Sequence, residues 1–267
     1  MSFPLPDHKD VIRQEFTQQA QAYAANPLVK NQTHLNRLVQ AAHPQPRSRV
    51  LDVATGPGYV AMAFAEAGCE VIGLDLTAAP LKIAEQKRQE RGLTNLRFQV
   101  GDAEHLPFQE DEFDIVVSRL ALHHFEDPQR VISEMARVCR PQGLVIVEDL
   151  AASEYPARAA YQNNFEQLRD PSHTCALSIS AFLTLLTSCG LEVEQISTEY
   201  REQSVEQWLA NAHTPSDRAE RARAMIEQDE LHDLSGVHPF RLDGDLYFRH
   251  RFATFVTRKL APTSLIR

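Results

Sequence analysis

The 267 residues carry 27 Lys+Arg against 36 Asp+Glu, a formal charge of -9 that repels a phosphate backbone and argues against nucleic acid as a partner. No apolar run is long enough to span a membrane, and Met1-Ser2-Phe3-Pro4-Leu5-Pro6 leads into charges instead of a signal-peptide core, so a cytoplasmic protein is expected. Four scattered cysteines (Cys69, Cys139, Cys175, Cys189) form no C-x-x-C pair; they suit a reducing compartment, read as small packing residues and offer no metal site.

The chain opens helically. Ile12, Phe16, Ala20 and Tyr23 form one stripe, and Leu35, Leu38, Val39 and Ala42 a second, so residues 8–45 read as a helical cap before the first strand. Val50-Leu51-Asp52-Val53 is that strand. Ala54-Thr55-Gly56-Pro57-Gly58 turns tightly, and Val60, Ala61, Phe64 and Ala65 repeat at helical spacing. Strand, glycine loop and helix make the first unit of a nucleotide-type site at the carboxyl end of a parallel strand. Gly56 and Gly58 suit the loop because side chains there would hold the backbone away from a ligand.

Glu70 to Asp75 is a second apolar run ending in an acid, placed where a carboxylate accepts from ribose hydroxyls. Thr77 then caps a helix through Leu81 and Ala84 that ends near Gly92. Leu96 to Val100 is the third strand, followed by Gly101-Asp102-Ala103-Glu104. Asp102 there would accept from an adenine amino group, and the Ala103 amide would donate to a ring nitrogen. Each acid alone reads more simply as a surface carboxylate or a helix cap. Asp52, Asp75 and Asp102 at the ends of three successive strands do not. A dinucleotide would bring its pyrophosphate to this loop, where Asp52 repels it. S-adenosylmethionine, with a sulfonium, an ammonium and no phosphate, suits the carboxylate.

Asp114-Ile115-Val116-Val117 is the fourth strand. Pro128 starts a helix with Val131, Ile132, Met135 and Val138 inward, Pro141-Gln142-Gly143 turns, and Leu144 to Val147 is the fifth strand. Ser180 caps a helix stopped at Gly190, and Leu191 to Ile196 alternates as a strand. Asp243-Gly244 reads as a hairpin turn between His238–Leu242 and Asp245–Phe248, the last strand continuing to Val256. The expected fold is α/β: one Rossmann-like, doubly wound domain over residues 1–267, mostly parallel with an antiparallel last strand and helices on both faces. Two stretches interrupt it, residues 151–177 with Tyr155, Tyr161 and Phe165, and residues 202–236 with Trp208 and a charged helix from Ser216 to about Leu231. They are expected to form a lid whose aromatics line an acceptor pocket; flank packing or a homodimer contact is the alternative.

In this order and spacing, LDVATGPG, VIGLDLT, GDAEHLPF, FDIVVSRLALHHFEDP and GLVIVED resemble the class I S-adenosylmethionine-dependent methyltransferases. The resemblance is strongest to the small-molecule group that includes ubiquinone and menaquinone biosynthesis methyltransferases, and runs from about Phe16 to about Leu191. Ala54 departs from it, since the family often has glycine there. The resemblance implies methyl transfer from S-adenosylmethionine, leaving S-adenosylhomocysteine, to oxygen, carbon or nitrogen of a small molecule, aromatic or isoprenoid-like. It implies cofactor contacts at Tyr23, Asp52, Ala54, Thr55, Gly56, Gly58, Asp75, Leu76, Asp102 and Ala103, with Ser118 and Arg119 near the methionine end.

For the acceptor side, His123 and His124 are base candidates because imidazole titrates near neutrality. His124, followed by Phe125 and Asp127-Pro128, reads better as a pin for its loop. Glu148 and Asp149 would orient a histidine or bind a substrate hydroxyl, or stand as solvated strand-end acids. Arg241, Arg249, His250 and Arg251 form a late basic cluster that reads as a solvated edge more readily than as an anion site. Two rivals remain: a protein that binds S-adenosylmethionine without transferring methyl groups, and a methyltransferase acting on protein or RNA.

Overall fold

The computed structural model describes residues 7–261, so Met1 to Pro6, read above for a leader, lie outside the described residues. Asp7 starts the first helix by accepting from the Lys9 amide. In chain order the elements are α1 (His8–Ala25), α2 (Gln32–Ala42), β1 (Arg49–Val53), α3 (Tyr59–Glu66), β2 (Glu70–Asp75), α4 (Ala78–Glu90), β3 (Leu96–Val100), β4 (Phe113–Arg119), α5 (Pro128–Val138) and β5 (Cys139–Ala152). Then come α6 (Pro156–Arg169), β6 (Leu177–Ser178), α7 (Ile179–Ser188), β7 (Leu191–Ser204), α8 (Val205–Asn211), α9 (Ser216–His232), β8 (Phe240–Leu242) and β9 (Asp245–Lys259). No described helix is long and apolar enough to cross a membrane.

The sheet runs β3-β2-β1-β4-β5-β9-β7. The first five strands are parallel, and β9 enters antiparallel between β5 and β7. The strand order reverses between β1 and β4, which places a crevice at the carboxyl ends of both. Alternation along β1 feeds two cores. Val50 packs with α2 and α3 on one face, and Leu51 and Val53 pack with α5 and α7 on the other. The α/β architecture and the antiparallel last strand are as expected. Asp243 and Gly244 both adopt positive φ (52° and 92°) in the tight turn between β8 and β9.

Several local expectations need correction. Thr77 precedes α4, but its hydroxyl makes no capping bond and is buried without a partner. Its backbone amide is held instead by Asp75 Oδ1 at 2.8 Å. Ser178, not Ser180, caps α7, accepting from the Ala181 amide. Pro141-Gln142-Gly143 does not break the chain before the fifth strand. Gln142 takes φ 64°, and the β4–β5 register shifts between Phe113 and Ile115, so the turn is absorbed as an irregularity within β5.

The late strand does not stop at Ile196 either. β7 pairs with β9 from Leu191 to Ser204. This long antiparallel arm carries α6, α8 and α9, the helices of the two interrupting stretches. Phe165, Trp208 and Phe248 pack there with Val205, Ile226 and Leu246 in a core of their own. Their aromatic side is buried mainly on itself, while Tyr155 is 71% exposed.

Candidate active site

The β1–α3 loop is tied from within. Asp52, 1% exposed, accepts from the Thr55 hydroxyl at 2.5 Å and the Ala61 amide at 3.0 Å. Burial pushes its carboxyl up to about 7. Ala54, Gly56 and Gly58 all take positive φ, at 57°, 53° and 79°. Gly58 is needed for packing: a Cβ there would stand 2.6 Å from Phe98 and 2.9 Å from Ala84. Gly56 is different, because its Cβ would meet only Tyr23, at 3.6 Å. Thus Asp52, Thr55 and Gly58 shape the loop, and Ala54 and Gly56 present it to a cavity.

That cavity spans about 760 Å³, its solvent mouth included. Ala54, Gly56, Leu74, Asp75, Leu76, Asp102 and Ala103 form its floor, and Ile12, Phe16 and Tyr23 of α1 cover it. Asp75 accepts from the Gly56 amide at 2.8 Å as well as from Thr77. Burial raises its carboxyl to about 6. Asp102 stands opposite, engaged by a residue that sequence reasoning missed. Lys9 Nζ donates to Asp102 at 2.7 Å and to Glu104 at 2.6 Å, so α1 is latched over the rim. No local pattern marks Lys9, because its partners lie 93 and 95 residues away. His105 completes a cluster with Asp102 and Glu104, where the ammonium already bridges the two carboxylates.

These residues fit an adenosine ligand that lacks phosphates. A carboxylate acceptor, a close backbone approach at Gly56 and apolar walls from Leu74, Leu76 and Ala103 meet in one crevice. The lysine at the rim is paired with acids, and the glycine loop carries no cation for a pyrophosphate.

A second cavity of about 620 Å³ adjoins the first and shares Phe16, Tyr23, Leu120 and His124 with it. His123 lines only the second. Its Nδ1 lies 2.5 Å from Asp149 Oδ1, so Asp149 fixes the ring and leaves Nε2 without a hydrogen-bond partner among the described residues. Burial works against protonation of His123, but the Asp149 carboxylate outweighs it and raises the pKa. Asp149 is itself fixed by the Leu122 and Leu150 amides, each at 2.6 Å. His124 is a pin: Nδ1 meets the Ser172 carbonyl at 3.0 Å, and burial with the neighbouring His123 pushes its pKa down to about 3.

Glu148, Arg119 and Ser118, expected at the site, also line neither cavity. Arg119 Nε and Arg201 Nη2 hold Glu148 Oε1 at 2.9 and 3.0 Å, and Thr254 donates to its Oε2 at 3.2 Å. Arg119 also grips the Val29 and Leu28 carbonyls, clamping the cap to the sheet. Ser118 is fully buried, and its hydroxyl has no partner among the described residues. Asp149, not Glu148, orients a histidine.

The late basic cluster also divides. Arg241 and Arg249 pair with Glu230 and Glu202 at the surface. His250 turns inward, 3% exposed, and lines the second cavity with Glu166, Arg169, Asp170, Gln203 and Trp208. Alternation of Leu246, Phe248, His250 and Phe252 could have revealed it, since all four share one face of β9. Of the four aromatics in the interrupting stretches, Trp208 lines this cavity, and Tyr155, Tyr161 and Phe165 do not.

Residues 51–147 match the model of a methyltransferase domain family. The uncharacterized methyltransferase YcgJ of Bacillus subtilis is 34% identical over 203 residues, 76% of this chain and 80% of that one. Its crystal structure superposes with a TM-score of 0.80 at 29% identity, covering 86% of this chain and 99% of its own. A Bacillus halodurans structure, assigned provisionally as a methyltransferase, gives a TM-score of 0.81 at 31% identity over 86% of this chain and all of its own. The demethylmenaquinone methyltransferase of Renibacterium salmoninarum is 34% identical over 125 residues, 46% of this chain and 51% of that relative. With the cavity at the strand-order reversal, its glycine loop and its strand-end acids, these likenesses place the chain in the class I S-adenosylmethionine-dependent methyltransferases.

Proposed function

We propose that the protein methylates a small polar molecule held in the second cavity, with the cofactor in the first and His123 as general base. One observation carries the reading: the cavities share a wall of Phe16, Tyr23, Leu120 and His124, and the His123–Asp149 pair stands on the far side only. S-adenosylmethionine, when bound, supplies a methyl group already activated by its sulfonium, so little covalent help is needed. His123 Nε2 takes the proton that the acceptor loses, and Asp149 stabilises the imidazolium so formed. The shared aromatic and aliphatic wall keeps water from the space between donor and acceptor.

The lining favours a compact, polar acceptor over an isoprenoid-like one. A hydrocarbon chain would cover Glu166, Arg169 and Asp170 without offering them partners, which is costly. A ring against Trp208 and Phe16 with polar substituents suits the walls better. In the same reading, α6, α8 and α9 cover the acceptor side, and the chain acts as one domain.

The test is incubation of the purified protein with S-adenosylmethionine labelled at its methyl group and a pool of small metabolites. Label should appear in a small product, and S-adenosylhomocysteine should form in step with it. Cofactor binding with no labelled product from any pool would favour a binding protein without transferase activity. Label in protein or RNA would overturn the small-molecule acceptor.

A further inference from the structure

The second cavity holds more buried charge than proton removal requires. Glu166, on α6, is 3% exposed and lines it. His250 Nε2 meets Glu166 Oε1 at 2.5 Å, while His250 Nδ1 meets the Gln203 side-chain amide at 3.0 Å. Glu166 Oε2 has no hydrogen-bond partner among the described residues. Burial opposes ionisation of this carboxyl, yet its neighbours hold its pKa at about 2.

The other charges on the wall come in opposed pairs. Arg169 Nη1 stands 3.9 Å from Asp170, its Nε donates to the Trp208 carbonyl at 3.0 Å, and its guanidinium lies 5.4 Å from the Trp208 ring centre. His123 is matched by Asp149. That leaves Glu166 Oε2 as a carboxylate oxygen without a hydrogen-bond partner among the described residues, in a cavity whose wall also carries the rings of Phe16, Tyr23, Trp208 and Phe252. A carboxylate oxygen turned into such a cavity needs a donor. An ammonium supplies it, and aromatic faces favour the same cation.

We infer that Glu166, positioned by His250, is the recognition site for a basic nitrogen on the acceptor, which makes the acceptor an amine-bearing small molecule. This rests on the second cavity being the acceptor cavity. The anion-binding alternative is weaker because Arg169 is already held by Asp170 and Trp208.

The experiment uses the full chain saturated with S-adenosylhomocysteine and three probes of one shape: benzylammonium, benzyl alcohol and benzoate. Calorimetry should rank benzylammonium tightest. Glu166→Gln should weaken it about tenfold or more, while benzyl alcohol and S-adenosylhomocysteine bind as before. Benzoate binding tightest, three equal affinities, no measurable binding, or benzylammonium indifferent to Glu166→Gln would overturn the proposal. Should Glu166→Gln fail to fold, the charge series on the unaltered protein decides alone. Failure of S-adenosylhomocysteine to bind would strike the reading of the first cavity instead, and the amine series, run then without it, still decides the second.

Discussion

His123, just beyond the end of β4, and Asp149, on β5, stand 26 residues apart in the chain and meet Nδ1 to Oδ1 at 2.5 Å. The contact couples the proposed base to the acid that orients it. It also sets the direction in which the base titrates, because Asp149 raises the His123 pKa above its ordinary value of 6.5.

A base must be neutral to take a proton. Turnover should therefore climb with pH through a midpoint above 6.5. Asp149→Asn should move that midpoint to lower pH, since burial is then unopposed. His123→Ala should lower turnover on the order of 10²-fold and leave cofactor affinity nearly intact. Steady-state rates across pH, with calorimetry for the cofactor, test both variants. A loss of only a few-fold would make His123 a wall residue, with the proton passing to water.

Asp75 should link cofactor binding to stability. Its folded pKa of about 6 exceeds the ordinary 3.8, so between these values the folded chain holds more protons than the unfolded one. The contribution of Asp75 to stability should thus fall as pH rises through this window, and Asp52, raised to about 7, adds in the same direction. Asp75→Asn should flatten the trend in denaturant midpoints of the free protein between roughly pH 4 and 6. It should also weaken S-adenosylmethionine binding by about 1 to 3 kcal/mol. An unchanged affinity would remove Asp75 from the cofactor site.

The two loop glycines should fail in different ways. Gly58→Val places a branched side chain against Phe98 and Ala84 at positive φ, so the thermal midpoint should drop sharply. Gly56→Ala has room, with Tyr23 at 3.6 Å, and should keep the fold while losing cofactor affinity. Ala54 carries backbone strain at φ 57°, so Ala54→Gly should raise stability by about 0.5 kcal/mol. Circular dichroism melts and calorimetry on the three variants separate fold from binding. A stable Gly58→Val protein with normal melting would contradict the packing role.

Glu148→Ala should cost about 3 to 5 kcal/mol of stability, because it leaves Arg119 and Arg201 buried without their shared carboxylate. Urea titration measures the loss. A catalytic role would instead show as slow turnover in a protein of normal stability.

The glycine loop, the strand-end acids and Tyr23 over the cofactor cavity are legible in the chain because each belongs to one strand, turn or helix stripe. His123 is legible for the same reason, as a titratable group just beyond a strand. Lys9 and Glu166 are not, and of His250 only its side of β9 is. Lys9 looks like any solvated lysine until α1 folds over Asp102 and Glu104. Glu166 lies on a polar helix, and His250 between two arginines, and only the β7–β9 arm turns both inward.

Local pattern therefore settles the parallel sheet, its first five strands and the loop chemistry, since hydrophobic period and turn residues act over a few positions. The division of the acids is a matter of tertiary packing. Asp149 meets the histidine while Glu148 is held between two arginines, and Asp52 faces the loop's interior while Asp75 faces the cavity. Glu148 and Asp149, adjacent on β5, point to opposite faces, and what waits on each, Arg119 and Arg201 on one and His123 on the other, comes from elsewhere in the chain.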